Sequence, residues 1–160
     1  MENKSIQHLF IVQAMILLWG TFFAWSKLIP QMRDFQGLYG TLFYFTDCAI
    51  PNPLTTACFY GSVAFMVACI WALWMLQGPS ETSARRLRAF LVFCVVFAGS
   101  VVLYEAADYY KLFAGDALPI SCSPGVHPLK TPCFYGMLFF LSACIVASSI
   151  VRKIKNKNIL

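Results

Sequence analysis

Four long apolar stretches dominate the chain, at about residues 8–29, 57–76, 87–105 and 132–151. Each is close to the roughly 20 residues that a helix needs to cross the hydrocarbon core of a bilayer. The segment between the second and third stretches, at about 77–82, is short, so those two helices are expected to be antiparallel neighbours. The pattern predicts an all-α integral membrane protein, with four transmembrane helices forming a single domain over residues 1–160.

The ends of the first helix can be predicted from the sequence as well. Pro30 is a stop signal for helices, which places the predicted end near Lys27. The aromatic segment Leu38–Phe45 is predicted to form a short helix in the membrane interface. Ala24 and Ser26 loosely fit a signal-peptide cleavage site. The apolar run is long, however, and the internal repeat described next needs this helix, so we expect it to be retained.

The second and fourth helices open on the same motif. Residues 53–61 read PLTTACFYG and residues 128–136 read PLKTPCFYG, so seven of nine positions are identical at an offset of 75. The match continues at Phe65 and Phe140 and at the tripeptide Ala-Cys-Ile of 68–70 and 143–145. A repeat of this kind predicts two copies of one structural unit. The copies are two tandem hairpins, about 8–76 and 87–151, that run in the same direction and are related by a pseudo-two-fold axis along the membrane normal.

Composition and charge support this topology. The chain is 59% hydrophobic and only 12% charged, against about 25% charged residues in soluble domains. Cytoplasmic loops are enriched in basic residues, and placing both termini inside puts most of the basic residues there. These are Lys4, Arg85, Arg86, Arg88, Arg152, Lys153, Lys155 and Lys157. We therefore expect both termini to be cytoplasmic in a bacterial inner membrane. The basic tail at 152–157 is interpreted as a topology signal that meets anionic lipid, not as a nucleic-acid site.

The seven cysteines divide by depth. Cys69, Cys94 and Cys144 fall within the spans, where cysteine usually serves as a small apolar packing residue. Cys48, Cys58, Cys122 and Cys133 fall in or beside the two outer loops, on the side of the membrane where disulfides form. Four cysteines allow three connectivities, and the repeat favours Cys48–Cys58 and Cys122–Cys133. Each disulfide would clip one outer loop and contribute about 2–3 kcal/mol to stability.

These four cysteines have two interpretations. They are structural clips, or they carry out thiol–disulfide exchange. Cys58 and Cys133 lie at helix N-termini, where the exposed backbone N–H groups stabilise a thiolate. In layout, four helices with loop cysteines on the oxidising side, the chain is similar to the membrane thiol oxidases and the vitamin K epoxide reductases. Those families carry a Cys-x-x-Cys pair, which is absent from this sequence.

Other outer-side residues are candidates for chemistry. Glu105 and Asp108 share a helical face at the outer end of the third helix, and Lys27 lies at the matching end of the first, so a charged cluster with a Lys27–Glu105 or Lys27–Asp108 pair is expected. The alternative is a proton or cation site. Tyr60, Tyr135 and His127 are candidates for contacting a quinone, although tyrosines at this depth commonly serve as interface anchors. No metal site is predicted.

Three functions are consistent with this sequence. The favoured one is a small membrane module, an accessory subunit or a lipid- or partner-binding protein, whose disulfide-stapled outer face meets a protein partner or a second copy of the chain. The alternative is a quinone-linked membrane thiol–disulfide oxidoreductase in which Cys58 or Cys133 is the reactive thiolate. A further alternative is a small transporter that works as an oligomer. Nothing in the sequence indicates binding to nucleic acid.

Overall fold

Four helices make up almost all of the described chain. The computed structural model describes residues 2–45, 50–78, 80–112 and 126–157. The helices are α1 (Glu2–Tyr39), α2 (Ala57–Gln77), α3 (Glu81–Tyr109) and α4 (Pro132–Lys157). Short 3-10 turns, Pro53–Thr55 and Pro128–Lys130, precede α2 and α4. The described residues contain no strand, so the prediction of an all-helical chain is confirmed.

All four helices are long and apolar enough to span a membrane. Within the most apolar part of each, only 22% to 33% of the positions are buried inside the protein. Many of the other positions carry large apolar side chains that point outward, among them Trp74, Phe22 and Leu103. A lipid-facing surface accounts for this, since water-soluble monomers rarely expose apolar patches of this extent. These features are those of an integral membrane protein.

The helices occupy the corners of a bundle. Contacts are most extensive between α1 and α2 and between α3 and α4, followed by α1 with α4, and they are sparser between α2 and α3. Helices α1 and α3 lie diagonally opposite, with no close backbone approach between their described residues, whereas α2 and α4 touch across the centre. At the end that holds both termini, Lys153 Nζ donates a hydrogen bond to Ser5 Oγ at 2.6 Å. The opposite end, which we call the loop end, holds the two 3-10 turns.

Helix α1 is longer than the sequence predicted. It has 38 residues and continues through Pro30 to Tyr39, a length of about 57 Å at 1.5 Å per residue. The predicted end near Lys27 is therefore wrong. A proline inside a helix costs about 3 kcal/mol, but Leu28 and Phe35 are fully buried on either side of Pro30. Burial of these side chains offsets the cost and keeps the segment helical.

The predicted interfacial helix at Leu38–Phe45 is also wrong. Helix α1 ends at Tyr39, and Gly40, which follows it with a φ of 73°, turns the chain. Residues 40–43 form bends and turns, and residues 44 and 45 have no regular structure. The buried Asn52 side chain fixes them, because its Nδ2 donates hydrogen bonds to the backbone oxygens of Leu42 and Tyr44 at 2.8 and 2.9 Å. A side-chain amide thus replaces the intrahelical bonds that a helix would have supplied.

Equivalent positions of the two sequence motifs have the same local geometry. Thr56 Oγ1 donates to the oxygen of Pro53 at 2.7 Å, and Thr131 Oγ1 donates to that of Pro128 at 2.8 Å. Each 3-10 turn is capped by the side chain before it, Asn52 in the first motif and His127 in the second. Both motifs therefore start their helices in the same way.

The centre of the bundle is an aromatic stack between equivalent residues. The rings of Phe65 (α2) and Phe140 (α4) lie parallel, with centroids 3.7 Å apart and an interplanar angle of 5°. Gly20 of α1 faces this stack, and a Cβ atom placed there would lie 2.6 Å from Phe65 Cε1. Since Phe65 is only 2% exposed and is held by Phe140, its ring has little room to move away.

Gly20→Ala is therefore expected to destabilise the bundle relative to Gly37→Ala. Both substitutions gain the same helix propensity, but a Cβ at Gly37 meets nothing within 4 Å. The free energies of unfolding of the two variants should differ by about 1–3 kcal/mol, the usual cost of overpacking. Equilibrium unfolding of the purified proteins in mixed detergent micelles measures this difference. Equal stabilities would show that the Phe65–Phe140 stack is not tightly confined.

Candidate functional site

The two motif cysteines meet at the loop end of the bundle. Cys58 lies in the first turn of α2 and Cys133 in the first turn of α4. Their Sγ atoms are 3.9 Å apart. Cys58 and Cys133 occupy the same position in the two motifs, and Phe65 and Phe140 are likewise equivalent in the repeat that continues beyond them. The central packing of α2 against α4 therefore brings one sulfur of each motif to a single place.

The two cysteines are in different oxidation states. Cys58 is disulfide-bonded, whereas Cys133 carries a thiol. The predicted partners, Cys48 and Cys122, lie outside the described residues, so the pairing Cys48–Cys58 stays a prediction. The structure does not show the second predicted clip, Cys122–Cys133, in its closed form, because Cys133 is a thiol. A thiol thus lies near van der Waals distance from a sulfur that belongs to a disulfide.

A buried acid lies beside the thiol. Glu105, in the last turns of α3, is 5% exposed and is in hydrogen-bonding contact with the Cys133 side chain. Helices α3 and α4 are consecutive and make extensive contacts, so the end of α3 and the start of α4 lie at the same level. The surroundings of Cys133 are otherwise largely apolar. A thiolate there would be poorly solvated, and a neighbouring carboxylate is a group that can take up the thiol proton.

An apolar cavity of about 430 Å³ extends from the two sulfurs into the bundle. All four helices contribute to its walls, which are mainly aromatic rings and small residues. The motif glycines Gly61 and Gly136 line it, as do Phe65 and Phe140 at its centre. Its volume is within the range of about 300–1,000 Å³ that is usual for small-molecule sites. Lys27 is the only charged side chain among the described residues that line it.

Some of the predicted candidates lie at this site and others do not. Cys58, Cys133 and Tyr60 line the cavity, whereas Tyr135 and His127 do not. The His127 Nδ1 atom accepts a hydrogen bond from the backbone N–H of Leu129 at 3.3 Å, and its ring packs against Tyr109. Its contacts are thus those of a cap for the second 3-10 turn. The Tyr135 ring packs edge-on against Phe23 and is 44% exposed.

The predicted charged cluster of Lys27, Glu105 and Asp108 does not come together. Helices α1 and α3 lie at opposite corners, and the described residues show no ion pair between Lys27 and either acid. The Lys27 ammonium instead lies 5.9 Å from the centre of the Phe23 ring. Within the described ranges, the ion pair that the structure shows is Arg85–Glu81, one turn apart on α3.

Sequence reasoning missed the contact between Glu105 and Cys133 and the aromatic wall of the cavity. A signal for the first was present, since Glu105 lies near the end of one helix and Cys133 in the first turn of the next. Consecutive antiparallel helices lie at the same level where they are joined. The wall includes Phe90, Phe93 and Phe97 of α3. Their spacing of three and four residues places them along one helical face.

The cysteines within the spans serve the packing of the bundle. Cys69 and Cys94 are buried members of the core, and Cys144 packs partly buried against it. The described residues contain no group of three or more His, Cys, Asp or Glu side chains that would suit a metal ion. A comparison of the chain with protein-family models, with curated proteins and with solved structures gives no match.

Proposed function

We propose that this protein is a quinone-linked membrane thiol–disulfide oxidoreductase, which oxidises dithiols on the extracytoplasmic side of a bacterial inner membrane. The observation that carries the proposal is the 3.9 Å approach of the Cys133 thiol to the disulfide sulfur of Cys58. A structural clip needs neither a second sulfur at its side nor a buried acid on that sulfur. Exchange requires a nucleophile within reach of the disulfide, and a neighbouring group that takes its proton speeds the reaction.

The first chemical step is an exchange between the two motifs. Glu105 accepts the Cys133 proton, and the thiolate attacks Cys58. A Cys58–Cys133 bond forms while the bond from Cys58 to its partner, proposed to be Cys48, breaks and leaves a Cys48 thiolate that takes up a proton. The two Sγ atoms need to approach by only about 2 Å to reach bonding distance. No electrons enter or leave in this step.

The second step moves the disulfide onto the second motif. The thiolate of Cys122 attacks Cys133, so that a Cys122–Cys133 disulfide forms and the Cys58 thiolate leaves and is protonated. The two predicted clips are then alternative states of one relay, and the observed thiol at Cys133 belongs to the state in which the first motif is oxidised. Over a full cycle, the relay takes two electrons and two protons from a substrate dithiol and delivers them to a quinone, which becomes the hydroquinone.

The membrane placement of the relay follows the distribution of charge. We propose two tandem hairpins related by a pseudo-two-fold axis, with both termini in the cytoplasm and lipid around the bundle. This arrangement puts the basic segments 85–88 and 152–157 inside, in agreement with the enrichment of basic residues in cytoplasmic loops. It places Cys58 and Cys133 on the oxidising side, where a disulfide persists.

The redox states of the outer cysteines in intact membranes test the proposal. Thiols are trapped by acid quenching and alkylation, with and without added short-chain ubiquinone, and the peptides are mapped by mass spectrometry. We expect one motif to be partly reduced and to close when quinone is supplied. In Cys122→Ser, which lacks the second nucleophile, a Cys58–Cys133 bond should accumulate and link peptides from the two halves of the chain.

The competing function predicts a different result. If the protein is an accessory or partner-binding module with structural clips, both motifs are fully closed and respond neither to quinone nor to mild reductant. Cys122→Ser then yields a lone Cys133 thiol and no cross-link between the halves. That outcome would refute the oxidoreductase and leave the stapled outer face as a contact surface.

A further inference from the structure

We infer that the apolar cavity between the four helices binds the quinone ring, and that the quinone enters it from the bilayer through the seam between α2 and α3. This inference rests on the proposed function, since it assigns a place and an access route to the electron acceptor. It differs from the expectation drawn from the sequence, because Tyr135 and His127 take no part in the cavity.

The walls of the cavity suit a flat apolar ring. Aromatic side chains from α1, α2, α3 and α4 surround it, and the repeated motif glycines leave it open. A Cβ atom on Gly61 would meet nothing within 4 Å, and one on Gly136 would be in ordinary contact with Phe65 at 3.7 Å. The two sulfurs are part of the same wall, so a ring held there lies next to the groups that must give up electrons.

The charge in the cavity suits a quinone as well. Lys27 lines it beside Phe23. Reduction of a quinone places negative charge on its oxygens, and an ammonium group stabilises such charge in an apolar setting. A phospholipid acyl chain could fill the same volume, but it has no chemistry that would use either the sulfurs or this cation.

The seam between α2 and α3 offers a path from the lipid. Of the neighbouring helix pairs around the bundle, this pair has the sparsest contacts. The two helices are held together near the termini end, where Trp71 Nε1 donates to Ser83 Oγ at 2.7 Å. Nearer the loop end, cavity-lining rings stand exposed on both helices, with Tyr60 at 56% and Phe93 at 66%. The cavity is thus reachable from the lipid-facing side.

Binding of ubiquinone-1, measured by calorimetry on the purified protein in lipid nanodiscs, tests the inference. Gly61→Leu is expected to weaken binding at least tenfold, because its side chain occupies the cavity. Gly37→Leu, on α1 and away from the cavity, should bind as the wild type does. Ala98→Leu fills the cavity from the α3 wall and should weaken ubiquinone-1 binding as much as Gly61→Leu does. Agreement between the two variants shows that the loss of binding does not come from misfolding of one of them.

Two separate readouts on the wild-type protein distinguish this inference from the proposed function. Calorimetry reports the binding of ubiquinone-1 to the cavity, and alkylation of the outer cysteines in the same nanodiscs reports whether thiols are oxidised. An unchanged affinity for ubiquinone-1 in both Gly61→Leu and Ala98→Leu would overturn the cavity as the binding site. So would the finding that phospholipid occupies the cavity and that ubiquinone-1 does not displace it. Normal quinone binding without any thiol oxidation in the wild type would instead refute the oxidoreductase and leave the binding site standing.

Discussion

Replacing Cys133 by serine is expected to reduce quinone-linked dithiol oxidation to the background rate. The Cys133 thiol lies 3.9 Å from Cys58 Sγ. A serine hydroxyl at this position can neither attack the disulfide of Cys58 nor form a bond to its sulfur. The rate is measured as the loss of quinone absorbance when a reduced dithiol peptide is added to the protein in nanodiscs.

Cys144→Ser is the matched control for this experiment. Cys144 lies on the same helix three turns further on and is a partly buried thiol packed against the core. Its replacement tests the effect of losing a thiol from α4 without touching the relay, so the rate should stay close to that of the wild type. Retention of activity in Cys133→Ser would show that Cys58 exchanges without a partner from the second motif, and the relay would have to be abandoned.

Glu105→Gln is expected to slow the same reaction by about 10²–10⁴-fold, the usual contribution of a positioned general base. Glutamine has nearly the same size as glutamate and can keep a hydrogen bond to the half-buried Cys133 side chain, but it cannot accept the thiol proton. Because hydroxide ion then has to remove that proton, the rate of the variant should rise with pH more steeply than that of the wild type. Stopped-flow kinetics of quinone reduction between neutral and alkaline pH measures both effects.

Asp108→Asn controls for the loss of an acid from the same end of α3. Asp108 is half-buried and lies three residues beyond Glu105, and we give it no part in the exchange. The variant should keep the wild-type rate and pH profile. If Glu105→Gln lowers the rate equally at every pH, then Glu105 positions Cys133 without taking up its proton.

Much of the fold could be predicted because membrane helices are specified by local composition. The second apolar stretch, predicted at 57–76, is α2 at Ala57–Gln77. Where tertiary contacts decide, the prediction was wrong. Pro30 is a reliable stop signal in isolation, yet the burial of Leu28 and Phe35 carries α1 past it. The same applies to Leu38–Phe45, where the backbone oxygens of Leu42 and Tyr44 are held by Asn52, which lies ten and eight positions further along the chain.

The site was less accessible to prediction, for a geometric reason. The repeat identifies Cys58 and Cys133 as equivalent but does not say whether equivalent positions face each other or point apart. That depends on the order of the helices around the bundle, which no local pattern encodes. Because the helix order is unknown from the sequence, Lys27 was expected near Glu105, although α1 and α3 lie diagonally opposite in the bundle. Glu105 contacts Cys133 because α3 and α4 are adjacent.

The contact between the equivalent cysteines Cys58 and Cys133 sets the stoichiometry of the proposed relay. In that relay the two copies of the motif form one exchange centre and not two, so a single chain would transfer one electron pair at a time. The two halves of the centre also differ, because the first copy of the repeat has no acid equivalent to Glu105. The corresponding residues, 74 and 75 positions earlier, are Gln31 and Pro30. In a symmetric dimer of one hairpin, the two half-sites would be identical, and disulfide transfer between them would have no preferred direction. In the proposed relay, having both copies in one chain lets the first half donate the disulfide and the second half receive it.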